Sequence, residues 1–326
     1  MMNNIGNTLH NKTMQSNNKK ISHLSNYILI LLLLLFSLFL ISCSIQSSKD
    51  YGTGTEGIRI EMLDVNKGDR FIQGQNLNIV LEISNQGRYD EPMGHIAISG
   101  YDPSAIFFSE QKKELPFLLA KNQYTDGESK IIKIEELQPL KVPYGSSYKT
   151  NIMFSTCYNY QTKATLPVCI IPNIDEYVKG TSTCRIEPTS LSTQGAPVAV
   201  TYIEPSMSND QLQFLIHIAN VGKGVIIKED HLNDCPTNIG LTDIDELVIE
   251  ARISALGYAE CTNNGRVKLI DGKGVALCYL PKGFGTYSYT TEMEITLNYG
   301  YSTSINKQIE VINPFYTGQE QNSGWE

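Results

Sequence analysis

The stretch LNIVLEISNQGRYD (residues 77–90) decides the fold, because it joins a strand pattern to a turn signal. Leucine or isoleucine stands at every second position from Leu77 to Ile83. Successive side chains of a strand point to opposite faces, so this alternation predicts a strand with one buried face. Asn85 and Gly87 follow, and both residue types favour turns. The stretch is therefore predicted to be a strand that ends in a turn at Asn85.

A second copy of this stretch occurs 135 residues later, as LQFLIHIANVGKGV (212–225). The copy aligns Asn220 and Gly222 with Asn85 and Gly87. An asparagine side chain can hydrogen-bond nearby backbone where a strand stops, and glycine adopts conformations closed to other residues. We therefore assign a structural role to both Asn-x-Gly motifs, rather than a role in ligand binding.

A longer repeat follows each copy. Residues 146–171 match residues 287–312 without a gap at an offset of 141. Three tyrosines and two threonines of this window coincide with identical residues, namely Tyr148, Thr150, Tyr158, Tyr160 and Thr162 with Tyr289, Thr291, Tyr299, Tyr301 and Thr303. Two repeats in the same order at nearly the same offset indicate a duplicated domain.

Strand patterns continue through most of the chain beyond residue 57, and helical patterns are nearly absent. ELVIEARISALG (246–257) alternates in the same way as the two copies above. Turn signals such as Asn264-Gly265 and Asn313-Pro314 separate the runs. Short strands with frequent turns favour a β-sandwich architecture.

The N-terminal segment carries a membrane signal. Residues 27–42 are almost entirely apolar and uncharged, and the flank before them contains lysines but no acidic residue. Leu40-Ile41-Ser42-Cys43 resembles the lipobox of bacterial and archaeal lipoproteins, in which the signal peptide is cleaved before a lipid-bearing cysteine. An uncleaved anchor helix that ends in Ser-Cys remains the alternative. Both alternatives predict attachment to the membrane through this segment, with the rest of the protein on the extracytoplasmic face of the cell membrane.

The charge balance excludes one large class of partner. Lysine and arginine number 26 against 34 aspartates and glutamates, giving a formal net charge of −8. A protein that binds nucleic acid needs a basic patch to meet the phosphates, and no basic stripe occurs in this sequence. We therefore expect no nucleic acid partner.

Six cysteines remain after Cys43, an even number that suits a disulfide set in an exported protein. No two lie closer than twelve positions, which disfavours a zinc site built from close cysteine pairs. Six cysteines allow fifteen pairings. A hairpin centred near Lys163 would pair Cys157 with Cys169, proximity favours Cys261 with Cys278, and Cys184 with Cys235 would then clasp the two domains.

Catalytic motifs are missing from the sequence. No two histidines stand at metal-ligand spacing, with His95, His217 and His231 scattered over the chain. Neither a G-x-S-x-G elbow, a P-loop nor an H-E-x-x-H motif occurs. We therefore predict no catalytic residue, no metal site and no cofactor.

Two features keep binding or catalytic alternatives open. Acidic residues between Asp230 and Glu246 supply the oxygen atoms that Ca²⁺ prefers, although without EF-hand spacing, and paired carboxylates could also serve a glycosidase. Tyr158 and Tyr160, like Tyr299 and Tyr301, share one strand face. That face is either an aromatic platform for a sugar or partner, or part of the packing.

The Asn-x-Gly strand ends resemble those of CARDB-type domains, which are immunoglobulin-like, adhesion-related modules of bacterial and archaeal surface proteins. The whole chain is also similar to surface lipoproteins of these organisms. The resemblance implies an all-β fold with two tandem immunoglobulin-like β-sandwich domains after an N-terminal signal or anchor helix. The predicted boundaries are 1–43 for the signal or anchor, 44–56 for a flexible tether, 57–172 for the first domain, 173–195 for a linker, 196–313 for the second domain and 314–326 for a polar tail.

These patterns predict a protein without catalytic activity. The first expectation is an adhesion, binding or envelope scaffold module that contacts a surface protein or a glycan. An accessory stalk subunit of a surface filament or transporter is the second, and a secreted hydrolase is the remote third. A resemblance of fold names no activity by itself.

Overall fold

The computed structural model describes residues 53–63, 69–90, 92–208, 211–254, 256–280 and 285–316. For residues 136–139 it describes the backbone only. The described residues belong to one compact unit that starts at Asp50. The predicted signal or anchor helix with Cys43, most of the tether and the end of the polar tail lie outside the described residues. Within the described ranges, no helix is long and apolar enough to cross a membrane.

The protein is all-β, as predicted, and its sheets are sandwich-like and mostly antiparallel. The described residues of the first half form seven strands: β1 (Ile58–Leu63), β2 (Arg70–Ile72), β3 (Asn76–Asn85), β4 (Gly94–Ser99), β5 (Lys112–Glu114), β6 (Ser129–Pro139) and β7 (Ser147–Ile170).

A short helix, α1 (Ile174–Lys179), leads into the second half. Ten strands follow in the part that the structure describes: β8 (Thr189–Ser190), β9 (Val198–Ser208), β10 (Gln211–Asn220), β11 (Val225–Ile227), β12 (Glu246–Ile253), β13 (Gly257–Tyr258), β14 (Glu260–Cys261), β15 (Arg266–Lys268), β16 (Lys273–Tyr279) and β17 (Tyr289–Ile312). Two 3-10 helices, Glu229–Asp234 and Thr262–Gly265, lie between them.

The described strands form three sheets. A small sheet has the order β1-β3-β6, a second has the order β14-β16-β10-β9-β8, and the large sheet has the order β13-β12-β17-β7-β4-β5. Strands β2 and β11 pair with β17, and β15 pairs with β12. The small sheet belongs to the first half, the second sheet belongs to the second half, and strands of both halves form the large sheet.

Strands β7 and β17 join the two halves. They pair antiparallel over their full length of 24 residues, so the large sheet runs continuously from one half into the other. The hairpin predicted near Lys163 was wrong, because β7 passes through this position without a turn. Hydrogen bonds to β17 along the whole strand replace those that a hairpin would have made.

The register of β7 and β17 relates the halves by an approximate two-fold axis. Asn159 lies opposite Gly300, and these two positions are also equivalent in the 141-residue repeat. In the strand pairing, Tyr158 lies opposite Tyr301. In the repeat, by contrast, Tyr158 is equivalent to Tyr299. The axis therefore passes between Asn159 and Gly300, and each half presents equivalent residues to the other.

The alternating patterns place the core as predicted. On β3, the side chains from Leu77 to Ile83 at alternate positions are at most 6 % exposed, and the same holds on β10 from Leu212 to Ile218. Burial of one such side chain stabilises the fold by about 1.5–3 kcal/mol. The apolar faces of the small and second sheets therefore account for much of the interior.

All six cysteines after Cys43 form disulfides, which is typical of proteins in an oxidising environment. The suggested pair Cys261–Cys278 is present. The other two suggested pairings were wrong, since the structure contains Cys157–Cys235 and Cys169–Cys184. Because β7 is straight, its two cysteines lie twelve residues apart along one strand and cannot meet.

Candidate functional site

The four repeated tyrosines lie at the two-fold axis, and all four are at most 1 % exposed. Ring centroids are 6.1 Å apart for Tyr158 and Tyr301 and 6.0 Å apart for Tyr160 and Tyr299. Such distances are typical of packed aromatic pairs. The tyrosines therefore belong to the packing, and the aromatic platform is not present on the surface.

Each phenol oxygen accepts a hydrogen bond from a backbone N–H of a strand or turn that packs against the large sheet. Tyr158 accepts from the N–H of Ile58 at 3.0 Å, and the equivalent Tyr299 accepts from Val198 at 3.3 Å. Burial raises the pKa of both tyrosines well above the ordinary value, so both hydroxyls stay protonated at neutral pH. They fasten β1 of the first half and β9 of the second half to the large sheet.

The Asn-x-Gly turns close against the remaining two tyrosines. Asn85 donates from Nδ2 to the carbonyl of Tyr89 at 2.8 Å, and Asn220 makes the same bond to Gly224 at 2.9 Å. A Cβ atom on Gly87 would lie 1.8 Å from the phenol oxygen of Tyr160. These contacts are internal, and they explain why glycine occupies the third position of the motif.

A cleft opens on the opposite face of the large sheet, beside the axis. Its volume is about 620 Å³, and β4, β5, β7 and the 3-10 helix Glu229–Asp234 form its walls. The wall residues come from both halves, since Gly94, Lys112 and Asn159 belong to the first and Asn233 to the second. The cleft is therefore a consequence of the shared sheet.

The 3-10 helix is fixed onto the sheet by several contacts. Cys235, the residue after it, forms the disulfide with Cys157 of β7. Leu232 packs against Gly300, where a Cβ atom would come within 2.7 Å of the leucine side chain. The ammonium group of Lys112 donates to the carbonyl of Asn233. The helix consequently forms a fixed wall of the cleft.

His95 connects the cleft wall to the disulfide. Its Nε2 lies 3.0 Å from the carbonyl oxygen of Cys235, and a carbonyl can only accept, so Nε2 carries the proton and donates it. Burial lowers the pKa of His95, with the Lys112 charge acting in the same direction. The imidazole is therefore neutral at neutral pH.

The cleft offers both polar and apolar surface to a ligand. Lys112, Glu114, Asn159 and Glu229 bring an ammonium, two carboxylates and an amide to the lining, and Met93, 69 % exposed, adds an apolar side chain. Such a lining offers hydrogen-bond donors and acceptors to a polar ligand. The described residues of the lining include no serine, threonine or cysteine that could act as a nucleophile.

The predicted acidic cluster does not converge on one point. His231 lies 3.3 Å from Asp234 and 3.6 Å from Asp243, and Lys228 lies 3.6 Å from Glu246. In the part of the chain that the structure describes, no three histidine, cysteine or acidic side chains are close enough together to hold a metal ion. These carboxylates instead meet basic side chains of their own segment.

Comparison with known proteins gives no family. No protein family model matches the chain, and no curated protein matches it. The CARDB-type resemblance thus rests on the Asn-x-Gly strand ends alone.

Two solved structures show weak similarity to the chain. One is the C-terminal globular domain of an oligosaccharyltransferase from Pyrococcus abyssi, at 12 % identity and a TM-score of 0.20 over 78 % of this chain and 48 % of that chain. The other is the CupB6 tip adhesin from Pseudomonas aeruginosa, at 10 % identity and a TM-score of 0.15 over 80 % of this chain and 97 % of the adhesin chain. The chain thus spans about half the length of the first. Both TM-scores are too low to indicate what this chain does.

Proposed function

We propose that this protein is a binding module of the cell exterior, without catalytic activity, which presents the cleft beside the two-fold axis to a surface protein or a glycan. The observation that carries the proposal is the cleft itself. Its lining combines charged and amide side chains with apolar surface, its 3-10 helix is fixed by the Cys157–Cys235 disulfide, and its walls come from both halves. A site with fixed walls and many hydrogen-bonding groups suits selective recognition.

The proposed location follows from cysteine usage and from the N-terminal segment. Three disulfides are typical of proteins that fold in an oxidising compartment. The lipobox-like Leu40–Cys43 would then attach the protein to the outer side of the membrane. Mass spectrometry of the native protein tests this attachment: an N-terminus at Cys43 that carries lipid mass supports it, and an intact Met1 contradicts cleavage.

The finer interpretation of the fold belongs to the same proposal. Each half, with its Asn-x-Gly turn, would be a CARDB-type, immunoglobulin-like module, and the two modules would have fused through β7 and β17. Immunoglobulin-like sandwiches commonly serve binding and spacing on cell surfaces. This origin supports a binding role more than an enzymatic one.

Site-specific photo-crosslinking on intact cells tests the binding role. A benzophenone amino acid replaces Met93 at the cleft, and in a matched control it replaces Tyr287, which is 78 % exposed in the other half. We expect one discrete adduct from position 93 and none from position 287. Adducts of equal yield from both positions, or none from either, would overturn the assignment of the cleft.

A rigid stalk subunit is the second candidate function. The specific observation in its favour is the continuous large sheet, which makes both halves one compact unit. A stalk needs stiffness but no occupied cleft. Charge reversal of Glu114 and Glu229 distinguishes the two functions, since it should weaken a binding module and leave the assembly of a stalk unchanged.

A further inference from the structure

The two halves differ at one sheet edge. In the second half, β14 pairs with the outer edge of β16, and the Cys261–Cys278 disulfide joins the two strands. In the first half, β6 is the last strand of the small sheet, with β3 as its neighbour on the other side. Among the described strands, the duplicated fold therefore covers this edge in one half only.

The backbone bonds show that the two edges are equivalent. The N–H of Asn85 donates to Glu128, and the N–H of Asn220 donates to Gly272 in the same way. Glu128 and Gly272 are therefore equivalent positions. Ile134 of β6 and Cys278 of β16, each six residues further along the chain, are equivalent as well. Ile134 thus occupies the position at which the second half receives its additional strand.

The outer edge of β6 presents unpaired backbone groups. Because Asn85 donates to Glu128, the register of β3 and β6 directs the N–H groups of Lys130, Ile132 and Ile134 toward β3. The alternate residues Ile131, Lys133 and Glu135 then point their N–H groups outward. Among the described strands, only β3 pairs with β6, and no turn or loop bond from these three N–H groups is found. An open edge of this kind is a template for another strand.

Exposed apolar side chains line the same edge. Ile131 is 63 % exposed, Phe117 56 % and Leu119 51 %. Phe117 and Leu119 lie beside the start of β6, since the carbonyl of Phe117 accepts from Lys130 Nζ and that of Leu119 accepts from the N–H of Glu128. Apolar side chains grouped at an open edge mark an interaction surface.

The charges on β6 select the occupant. Lys133 and Glu135 are exposed and flank Ile134, which is 3 % exposed on the buried face. If a second β6 strand pairs antiparallel with the first and the pair is centred on Ile134, Lys133 of each strand lies opposite Glu135 of the other. The pairing therefore contains two Lys–Glu pairs. A shift of the centre to Lys133 would instead place the two lysines opposite each other. The edge is therefore complementary to itself in one register.

We propose that a second copy of this chain docks on β6, antiparallel and centred on Ile134, so that two small sheets form one six-stranded sheet. The pairing is two-fold symmetric and closed, as is usual for homodimers. Lys133 and Glu135 form the hydrogen-bonded pairs of the new ladder. Ile134 lies opposite Ile134 of the second copy, at the position equivalent to the Cys261–Cys278 pair of the second half.

Charge reversal tests the proposal on the full-length chain in detergent. Sedimentation equilibrium should show a dimer for the natural protein. Lys133→Glu or Glu135→Lys alone replaces two attractive pairs by two repulsive ones, which should raise the dimer Kd by about tenfold or more. The double variant restores both pairs and should return the Kd to within about threefold of the natural value. Both residues are exposed, so the fold, checked by circular dichroism, should persist.

Covalent trapping gives a second measurement. Ile134→Cys should yield a disulfide-linked dimer under mild oxidation, whereas Ile79→Cys, an equally buried change on the central strand β3, should not. A monomer at all concentrations, single variants that dimerise as well as the natural protein, or equal trapping at positions 134 and 79 would each overturn the proposal. Occupation of the edge by a strand of a different protein would appear as a monomeric chain and would overturn it as well.

Discussion

The phenol group of Tyr301 donates a hydrogen bond to Oδ1 of Asn220, 3.0 Å away, and accepts one from the N–H of Gly224 at 2.8 Å. A residue of the shared strand β17 thereby holds the turn that follows β10. In the first half, the equivalent Tyr160 accepts from the N–H of Tyr89, at 3.4 Å. The repeated tyrosine and the repeated Asn-x-Gly motif are thus two parts of one contact.

Removal of the Tyr301 hydroxyl tests this contact. In Tyr301→Phe, the N–H of Gly224 and the amide of Asn220 lose a partner inside the protein. An unsatisfied buried group costs about 1–3 kcal/mol, so the free energy of unfolding in urea should fall by that amount. Tyr258→Phe, at a tyrosine 67 % exposed, is the control and should change it by less than about 0.5 kcal/mol. Equal effects would contradict the contact.

Substitution of Gly87 tests the close approach of the turn to Tyr160. Alanine would place its Cβ 1.8 Å from the phenol oxygen and 2.7 Å from the carbonyl oxygen of Glu56. Gly87→Ala should therefore reduce the free energy of unfolding by about 2–4 kcal/mol. Gly145 has open space around it but a φ of 78°. Gly145→Ala should therefore reduce the free energy of unfolding by about 1–2 kcal/mol, which is the cost of placing alanine in the left-handed conformation. A smaller loss at Gly87 than at Gly145 would refute the steric explanation.

The disulfides should differ in their contribution to stability. Cys157–Cys235 closes 78 residues and Cys261–Cys278 closes 17. Chain entropy gives about 4–5 kcal/mol for the longer loop and about 3 kcal/mol for the shorter one. Double cysteine-to-serine variants measured by urea unfolding should show this order. Thiol labelling of the natural folded protein should find none of these six cysteines reactive, and a free thiol among them would contradict the pairing.

Stability should depend on pH through His95. Its folded pKa lies below the unfolded value of 6.5, so the unfolded chain binds the proton more tightly. The stabilisation by neutral His95 is complete above pH 6.5 and is lost as the pH falls through the folded pKa. Urea midpoints should drop from pH 7 to pH 5, and the drop should be smaller in His95→Gln, whose amide can still donate to Cys235. An identical drop in both proteins would rule out His95 as the cause.

The fold class was predictable because the signals for it are local. The alternation from Leu77 to Ile83 identifies a strand and its buried face without reference to the rest of the chain. The repeat of Tyr158 and Tyr160 at Tyr299 and Tyr301 identifies the duplication in the same way. Neither signal depends on which strands pair.

The shared sheet and the cleft were not predictable, because both depend on contacts between distant residues. The pairing of β7 with β17 matches residues up to 165 positions apart, and no local pattern distinguishes a 24-residue strand from a hairpin at Lys163. The wrong disulfide pairings followed from that hairpin. Of the cleft residues, only His95 was noted from sequence, since Lys112 and Asn159 resemble ordinary surface residues until the 3-10 helix of the second half packs beside them.

The central claim is that the two halves form one body through β7 and β17, and calorimetry of the full-length protein tests it most directly. If the halves share the large sheet, neither can unfold alone without breaking the 24-residue pairing. Heating should therefore give a single transition whose calorimetric enthalpy equals its van't Hoff enthalpy. Two separate transitions, one for each half, would contradict the account.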